Sequence, residues 1–300
     1  MNNTKSHYHF FANGDDAKGF IISDTDYRAA FNRFGVCAWH SRASVLSFSI
    51  EDTHPHALLY GTFMECDRFK SLFELISKRY IAATRGNLDG VALKCEIYQV
   101  SDIEYLRNVG TYTIVQPTKD GKSVMPYDYF WGTGSLYFRD ESHLSRWIIG
   151  KDGKTMPVKT LGSYSLRTRR RILHSKKEVP EEWCVCNGIL LPENYVNIRA
   201  FESIYQSHNR FRVFKSSNKQ RQEEVIRKMA DVRGVMIDDL EARKICLDEC
   251  NRMHGIRDIR RLTPSQRLEL ALTVRRTHML SIRQIATIVR LPMEEVQKYL

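Results

Sequence analysis

The feature that most constrains this chain is the order of periodicities in its first hundred residues. Residues 7–14 (His-Tyr-His-Phe-Phe-Ala-Asn-Gly) read as a strand running into a turn, and Asp24 then caps a segment with helical periodicity to about His40. Val45-Leu-Ser-Phe-Ser-Ile50 alternates apolar with small polar residues, the pattern of a half-buried strand, and Ala57 to Thr62 reads as another. Residues 67–84 form an amphipathic helix with Phe69, Leu72, Phe73, Ile76 and Tyr80 on one stripe, and a further strand falls around Ala92–Val100. Strand, helix, strand, strand, helix, strand is the βαββαβ plan, so the expected class is α+β with a ferredoxin-like N-terminal domain.

Beyond it the rhythm breaks. Gly150, Gly153 and Gly162 lie among Lys151, Lys154 and Lys159, followed by Arg167-Thr-Arg-Arg-Arg171, which reads as a basic connector. Lys219–Met253 is charged at helical spacing and reads as one or two helices. At Thr263-Pro-Ser-Gln266, Thr caps, Pro takes the first helical position and Gln closes a capping box. A helix to about Thr277, a second from Ser281, a turn at Arg290-Leu291 and a third opened by Pro292 fit a helix-turn-helix module. Arg275, Arg276, Arg283 and Arg290 would contact DNA there, although Glu294 and Glu295 open the expected recognition helix; a three-helix cap without DNA contact is the alternative. The division expected is 1–140 for the ferredoxin-like domain, 141–182 for the connector, 183–254 for a helical middle region and 255–300 for the helix-turn-helix.

Charge adds a partner class. The chain carries a formal +11, with the first half at −1 and the second at +12. A surplus of that kind attracts a polyanion by phosphate neutralisation, nucleic acid first, or else serves as a solvated face. At 42% apolar and 27% charged residues the composition is that of a folded globular protein. No stretch approaches the ~18–20 apolar residues of a membrane span and the start lacks the plan of a secretory signal, so a cytoplasmic, nucleoid-associated location and no membrane partner are expected. Seven scattered cysteines without a Cys-x-x-Cys pair read as mostly buried thiols.

The chemistry is expected between the two middle strands. His54 and His56 are one residue apart, so on an extended segment both project from one face and can chelate one ion, Mn²⁺ or Zn²⁺ readily and Mg²⁺ when phosphate oxygens assist. Tyr80 and Thr84 are one helical turn apart, and Tyr80 belongs to the stripe facing the sheet, from which its hydroxyl could reach such an ion. The competing reading makes Tyr80 a core residue with its hydroxyl at the rim.

These residues resemble the HUH-type single-tyrosine transposases of insertion sequences, especially the REP-associated tyrosine transposases, over roughly residues 7–138. His9-Phe-Phe-Ala-Asn-Gly14 is similar to the opening strand and turn, and Thr53-His54-Pro55-His56-Ala-Leu-Leu59 to the metal-binding motif. Arg79-Tyr80 stands where the resemblance puts the nucleophile. Tyr105-Leu106 with Tyr112-Thr-Ile-Val-Gln-Pro117 resembles a helix ending in Asn-Pro, and Tyr127-Asp-Tyr-Phe-Trp131 the aromatic segment after it. The resemblance implies a homodimer that cleaves and rejoins single-stranded DNA near hairpins. His54, His56 and Thr84 would hold Mg²⁺ or Mn²⁺, and Tyr80 would attack phosphorus to give a 5′-phosphotyrosine and a free 3′-hydroxyl. Arg79, Arg167, Arg169, Arg170 and Arg171 are expected to grip the strand, and His9, His40 and Arg79 are possible helpers. Thr53, Pro55 and Thr84 depart from the family pattern and support the alternative of a catalytically degenerate, domesticated relative that binds hairpins or regulates. A third reading is an RNA-binding α+β protein stacking bases on an open sheet.

Overall fold

The computed structural model describes residues 4–12, 17–52, 55–91, 93–100, 102–119, 121, 123, 125–139, 145–150, 152–216, 225, 239–278, 280, 282–292, 295–296 and 299. The chain forms two compact units, Met1–Arg221 and Gln222–Leu300.

The first unit opens with β1 (Ser6–Phe11), α1 (Asp24–Ser41), β2 (Ser44–Ser49), β3 (His56–Gly61), α2 (Phe63–Arg85) and β4 (Glu96–Gln99). The sheet order is β2-β3-β1-β4 with every neighbouring pair antiparallel, which is the ferredoxin-like arrangement. The α+β class is as expected. Local chemistry sets the boundaries: the Ser23 side chain accepts from the Asp26 amide to start α1. Thr62 and Glu65 form a capping box that starts α2, four residues earlier than the apolar stripe alone suggests, and Gly86 ends it in a left-handed conformation at φ 82°. Pro55 precedes β3, where it leaves the ladder intact, and its carbonyl accepts from the Ala12 amide at 3.1 Å.

Strand register assigns side chains to two faces. Phe10, Phe48, Ala57 and Leu59 lie under α1 and α2, where Phe34 stacks on Phe48 at 4.5 Å and Phe69 and Phe73 meet Phe10 edge-on at 5.4 and 5.6 Å. His9, Phe11, Ser47, Ser49, His56 and Leu58 share the other face. That face is covered by α3 (Ile103–Lys119), whose Thr113 hydroxyl meets the Ser47 hydroxyl at 2.7 Å. Both faces are thus buried, and β2 is not half-exposed as its alternation suggests. Ser47 is polar because it meets a helix hydroxyl, not because it meets water. The covered face also removes the open platform that base stacking by an RNA-binding sheet requires.

The region expected to be a basic connector and helical middle is instead built into the first unit up to residue 216. A second sheet of β5 (Val158–Thr160), β6 (Cys184–Cys186) and β7 (Ile189–Leu190) is joined to α1 through Asn32. The Asn32 amide donates to the carbonyls of Ile172 at 2.7 Å and Gly188 at 2.8 Å and accepts from the Leu190 amide at 2.9 Å. Ile172 belongs to α4 (Leu166–Leu173). The β6–β7 turn is Asn187-Gly188 with φ 47° and 74°, the two-residue hairpin turn for which Asn-Gly is the standard signal. Then α5 (Ile198–Tyr205) and α6 (His208–Ser216) follow. The boundary accordingly falls after Arg221, and the expected divisions at 140, 182 and 254 do not coincide with it.

The second unit contains α7 (Asp239–His254), α8 (Pro264–His278) and α9 (Ile282–Val289). The expected capping box is present: the Thr263 amide donates to Gln266 Oε1 at 3.0 Å and the Gln266 amide to Thr263 Oγ1 at 3.3 Å. After α9 the chain turns at Arg290, φ 57°, and the Leu291 amide returns to the Ala286 carbonyl at 3.1 Å. Cys246, Cys250, Leu270, Val274, Ile285, Val289 and Val296 form its core. All seven cysteines are free, and Cys184 is the one not fully buried. Among the described residues no helix is long and apolar enough to cross a membrane.

Candidate active site

The face beneath α3 gathers the groups capable of chemistry. His56 begins β3 and His9 lies on β1, one step further along the same face, with their rings stacked at 5.6 Å. Tyr112 on α3 meets His56 edge-on at 5.2 Å and His9 at 6.1 Å. Gln116 is one turn further along α3, on the same side as Tyr112. All four side chains are buried, His9 and His56 completely. Burial pushes the His9 pKa down to about 3, so its ring is neutral, and neither of its nitrogens has a hydrogen-bond partner among the described residues. Buried imidazole nitrogens without partners are what a polar ligand, a water or an ion would complete. Imidazole and amide donors also suit a divalent cation. Among the described residues no group of three or more His, Cys, Asp or Glu is assembled for a metal ion; His54 and Thr53 lie outside them.

Tyr80 is not part of this arrangement. It sits in the layer on the opposite face, where its hydroxyl donates to Asp26 Oδ1 at 3.0 Å and its ring lies under the Arg33 guanidinium at 4.6 Å. Burial and the neighbouring Asp26 carboxylate push its pKa up to about 12, which further weakens it as a nucleophile. The expectation that Tyr80 reaches an ion beside His56 therefore fails on geometry: the α2 stripe does face the sheet, but from the other side. Thr84 fails with it, because its hydroxyl donates to the carbonyls of Tyr80 at 2.9 Å and Ile81 at 3.2 Å within α2. Arg33 is itself unusual, fully buried, bonded through Nε to Ser77 at 3.1 Å, with its pKa lowered to about 10 by burial.

The remaining expected residues scatter. His9 joins His56, whereas the His40 ring contacts the Glu178 carbonyl at 2.7 Å and Arg79 is exposed on α2. Arg167, Arg170 and Arg171 are exposed on α4, but Arg169 is committed to Glu181 and to the carbonyls of Tyr164 and Gly162. Arg275 caps the Leu280 carbonyl at 2.6 Å, and Arg290 is exposed at the turn after α9. The side chains of Arg276 and Arg283, and Glu294, lie outside the described residues. Tyr112 and Gln116 are not among the residues selected from sequence, although a tyrosine and a glutamine at i, i+4 share one face of a helix and are a legible local signal of a polar seam.

No family model matches this chain, and no curated protein matches it. Among solved structures it is similar to a REP-associated tyrosine transposase bound to a REP hairpin, at 13% identity and a TM-score of 0.32, over 44% of this chain and 79% of that one.

Proposed function

We propose that this chain binds hairpin-bearing single-stranded DNA and cleaves and rejoins it through a phosphotyrosine link formed on Tyr112. The observation that carries the reading is the edge contact of Tyr112 with His56, with Gln116 one turn away on the same helix. In the proposed step the Tyr112 hydroxyl oxygen bonds to phosphorus as the bond from phosphorus to the 3′-oxygen breaks, and the phenolic proton ends on that 3′-oxygen. The diester is conserved as a 5′-phosphotyrosine, so another 3′-hydroxyl can reverse the step and join strands without a nucleotide cofactor. His56 and Gln116, with His54, are the residues that would hold Mg²⁺ or Mn²⁺, which supplies charge stabilisation to the phosphoryl oxygens. Exposed Arg167, Arg170 and Arg171 are proposed to bind the strand, α8, α9 and the turn at Arg290 to act as a helix-turn-helix, and the molecule to work as a homodimer.

The test is incubation with labelled hairpin DNA and Mn²⁺ or Mg²⁺, then denaturing electrophoresis. The expected result is a covalent adduct abolished in Tyr112→Phe and His56→Ala but retained in Tyr80→Phe. An adduct lost in Tyr80→Phe and kept in Tyr112→Phe defeats the assignment. The closure of His9, His56 and Tyr112 from solvent favours a second reading, a hairpin-binding protein without catalysis. It requires that no variant and no metal yield an adduct while hairpin binding persists.

A further inference from the structure

At the C-terminal end of α1 a cleft of about 680 Å³ is lined by Trp39, His40, Arg42, Arg68, Trp183 and Tyr195, among others. That size lies within the ~300–1,000 Å³ of ordinary small-ligand sites. Four separate segments build it: α1 and its cap, α2, the approach to β6, and the stretch after β7. Trp39 is 52% exposed and meets Trp183 nearly perpendicularly, with ring centroids 5.9 Å apart, so the two indoles form a corner. Trp183 lies against Tyr195 at 6.0 Å, which backs that wall of the corner with a second aromatic ring.

The polar groups of the cleft divide into committed and available ones. The His40 ring contacts the Glu178 carbonyl, the Asn194 amide bonds the backbone of Cys184 and Leu191, and the Tyr195 hydroxyl donates to the Phe31 carbonyl at 3.3 Å. That leaves the exposed guanidinium groups of Arg42 and Arg68 to meet a ligand. No residue lining the cleft carries a carboxylate. A half-exposed indole beside two arginines, in a lining without a carboxylate, suits a group that is planar and apolar on its face and anionic at its edge.

We infer that this cleft is a subsite for one unpaired nucleotide, with the base stacked on Trp39 and its flanking phosphates held by Arg42 and Arg68. A peptide of carboxylate side chains alone satisfies the arginines but offers no ring to the indole, and an apolar partner leaves the arginines unpaired. The inference rests on the nucleic-acid reading above and adds a position to it. The cleft adjoins Ser44, the first residue of β2, whereas His56 pairs with Ser49 at the other end. At ~3.3 Å per residue the two ends are roughly 17 Å apart, so the subsite holds a nucleotide other than the scissile one. Its loss therefore weakens capture of the strand and leaves adduct formation at saturating DNA intact.

The experiment is fluorescence anisotropy with the full chain and two labelled DNAs, a blunt hairpin and the same hairpin with an unpaired tail of six thymidines. For the wild type the tail is expected to raise affinity. Trp39→Ala should lose about tenfold of that tail-dependent gain, as removal of one stacking aromatic does. Trp39→Phe should retain most of it, Arg42→Gln with Arg68→Gln should lose it, and blunt-hairpin binding should be unchanged in all three. Thymidine monophosphate displacing the tail would identify the base and phosphate themselves as the recognised chemistry. An unchanged tail effect in Trp39→Ala, or a polyglutamate peptide competing as well as the free thymidine hexamer, overturns the subsite while hairpin binding and the Tyr112 adduct stand. A wild type that binds neither DNA overturns both readings together.

Discussion

At the scale of single residues, the layer between α1 and α2 is organised by Asp26. Its carboxylate accepts from the Ile22 amide at 3.1 Å, the Ser23 hydroxyl at 3.0 Å and the Tyr80 hydroxyl at 3.0 Å, and pairs with Arg85 at 2.9 Å. Burial acts to raise its pKa, but these hydrogen bonds and Arg85 outweigh it and leave the group below the ordinary carboxylate value. A depressed folded pKa contributes stability that is present above the unfolded value of ~3.9 and lost as pH falls through the folded value. Asp26→Asn is expected to cost about 3 kcal/mol at neutral pH, because the Arg85 guanidinium loses its carboxylate and keeps only the Gly19 and Phe20 carbonyls, and to flatten the acid limb of the stability curve below about pH 4. Urea unfolding at several pH values reads both effects, and an acid limb unchanged in the variant refutes the assignment. The same network accounts for Tyr80: a hydroxyl donating to Asp26 under a buried guanidinium is a structural tyrosine, and Tyr80→Phe should lower stability while leaving any DNA adduct in place.

At the scale of elements, α1 is the hub, packing on the sheet, on α2 and on the small second sheet. Gly35 marks its closest approach. A Cβ there would lie 2.6 Å from Leu190 Cδ2 and 2.9 Å from Tyr195 Cδ1. Glycine inside a helix ordinarily costs about 0.5–1 kcal/mol relative to alanine, so Gly35→Ala would stabilise a free helix. Here the methyl meets a fully buried leucine and a tyrosine ring, and overpacking of that kind costs about 1–3 kcal/mol. The substitution is therefore expected to lower the Tm, and a raised Tm would show that β7 and the segment behind it give way freely. Gly110 plays the corresponding part on α3, where a Cβ would lie 2.7 Å from the Tyr205 hydroxyl.

At the scale of the whole molecule, two separate cores imply two cooperative units. Leu270→Ala, within the core of the second unit, is expected to lower one calorimetric transition by the equivalent of about 2–5 kcal/mol and leave the other in place. A single transition shifted as a whole would show that the units unfold together. Charge also divides by unit rather than by half. Residues 222–300 hold 15 Lys and Arg against 12 Asp and Glu, a net +3, which leaves +8 of the total +11 on residues 1–221. The larger surplus thus belongs to the unit carrying Tyr112 and the exposed Arg167, Arg170 and Arg171, and hairpin affinity should fall steeply as salt is raised. Affinity that is independent of salt would argue against phosphate contacts as its source.

The sequence alone determined the βαββαβ order, because strand and helix periodicities and caps are local properties that survive without tertiary contacts. Thr263 and Gln266, and the turn at Arg290, were legible for the same reason: a capping box and a tight turn are closed within a few residues. The Asn187-Gly188 hairpin carried an equally local signal that the expected helical middle region passed over. What only the tertiary structure decided is which side of the sheet each helix covers. Periodicity places Tyr80 on a stripe facing a sheet and His56 on one face of a strand, but it does not say whether those are the same side. That choice follows from the crossing of α1 and α2 over the Phe10 and Phe48 face, which leaves His9 and His56 to α3 and its Tyr112. A sheet has two faces and a sequence pattern has only alternation, so the identity of the tyrosine beside the histidines is a property of the folded chain.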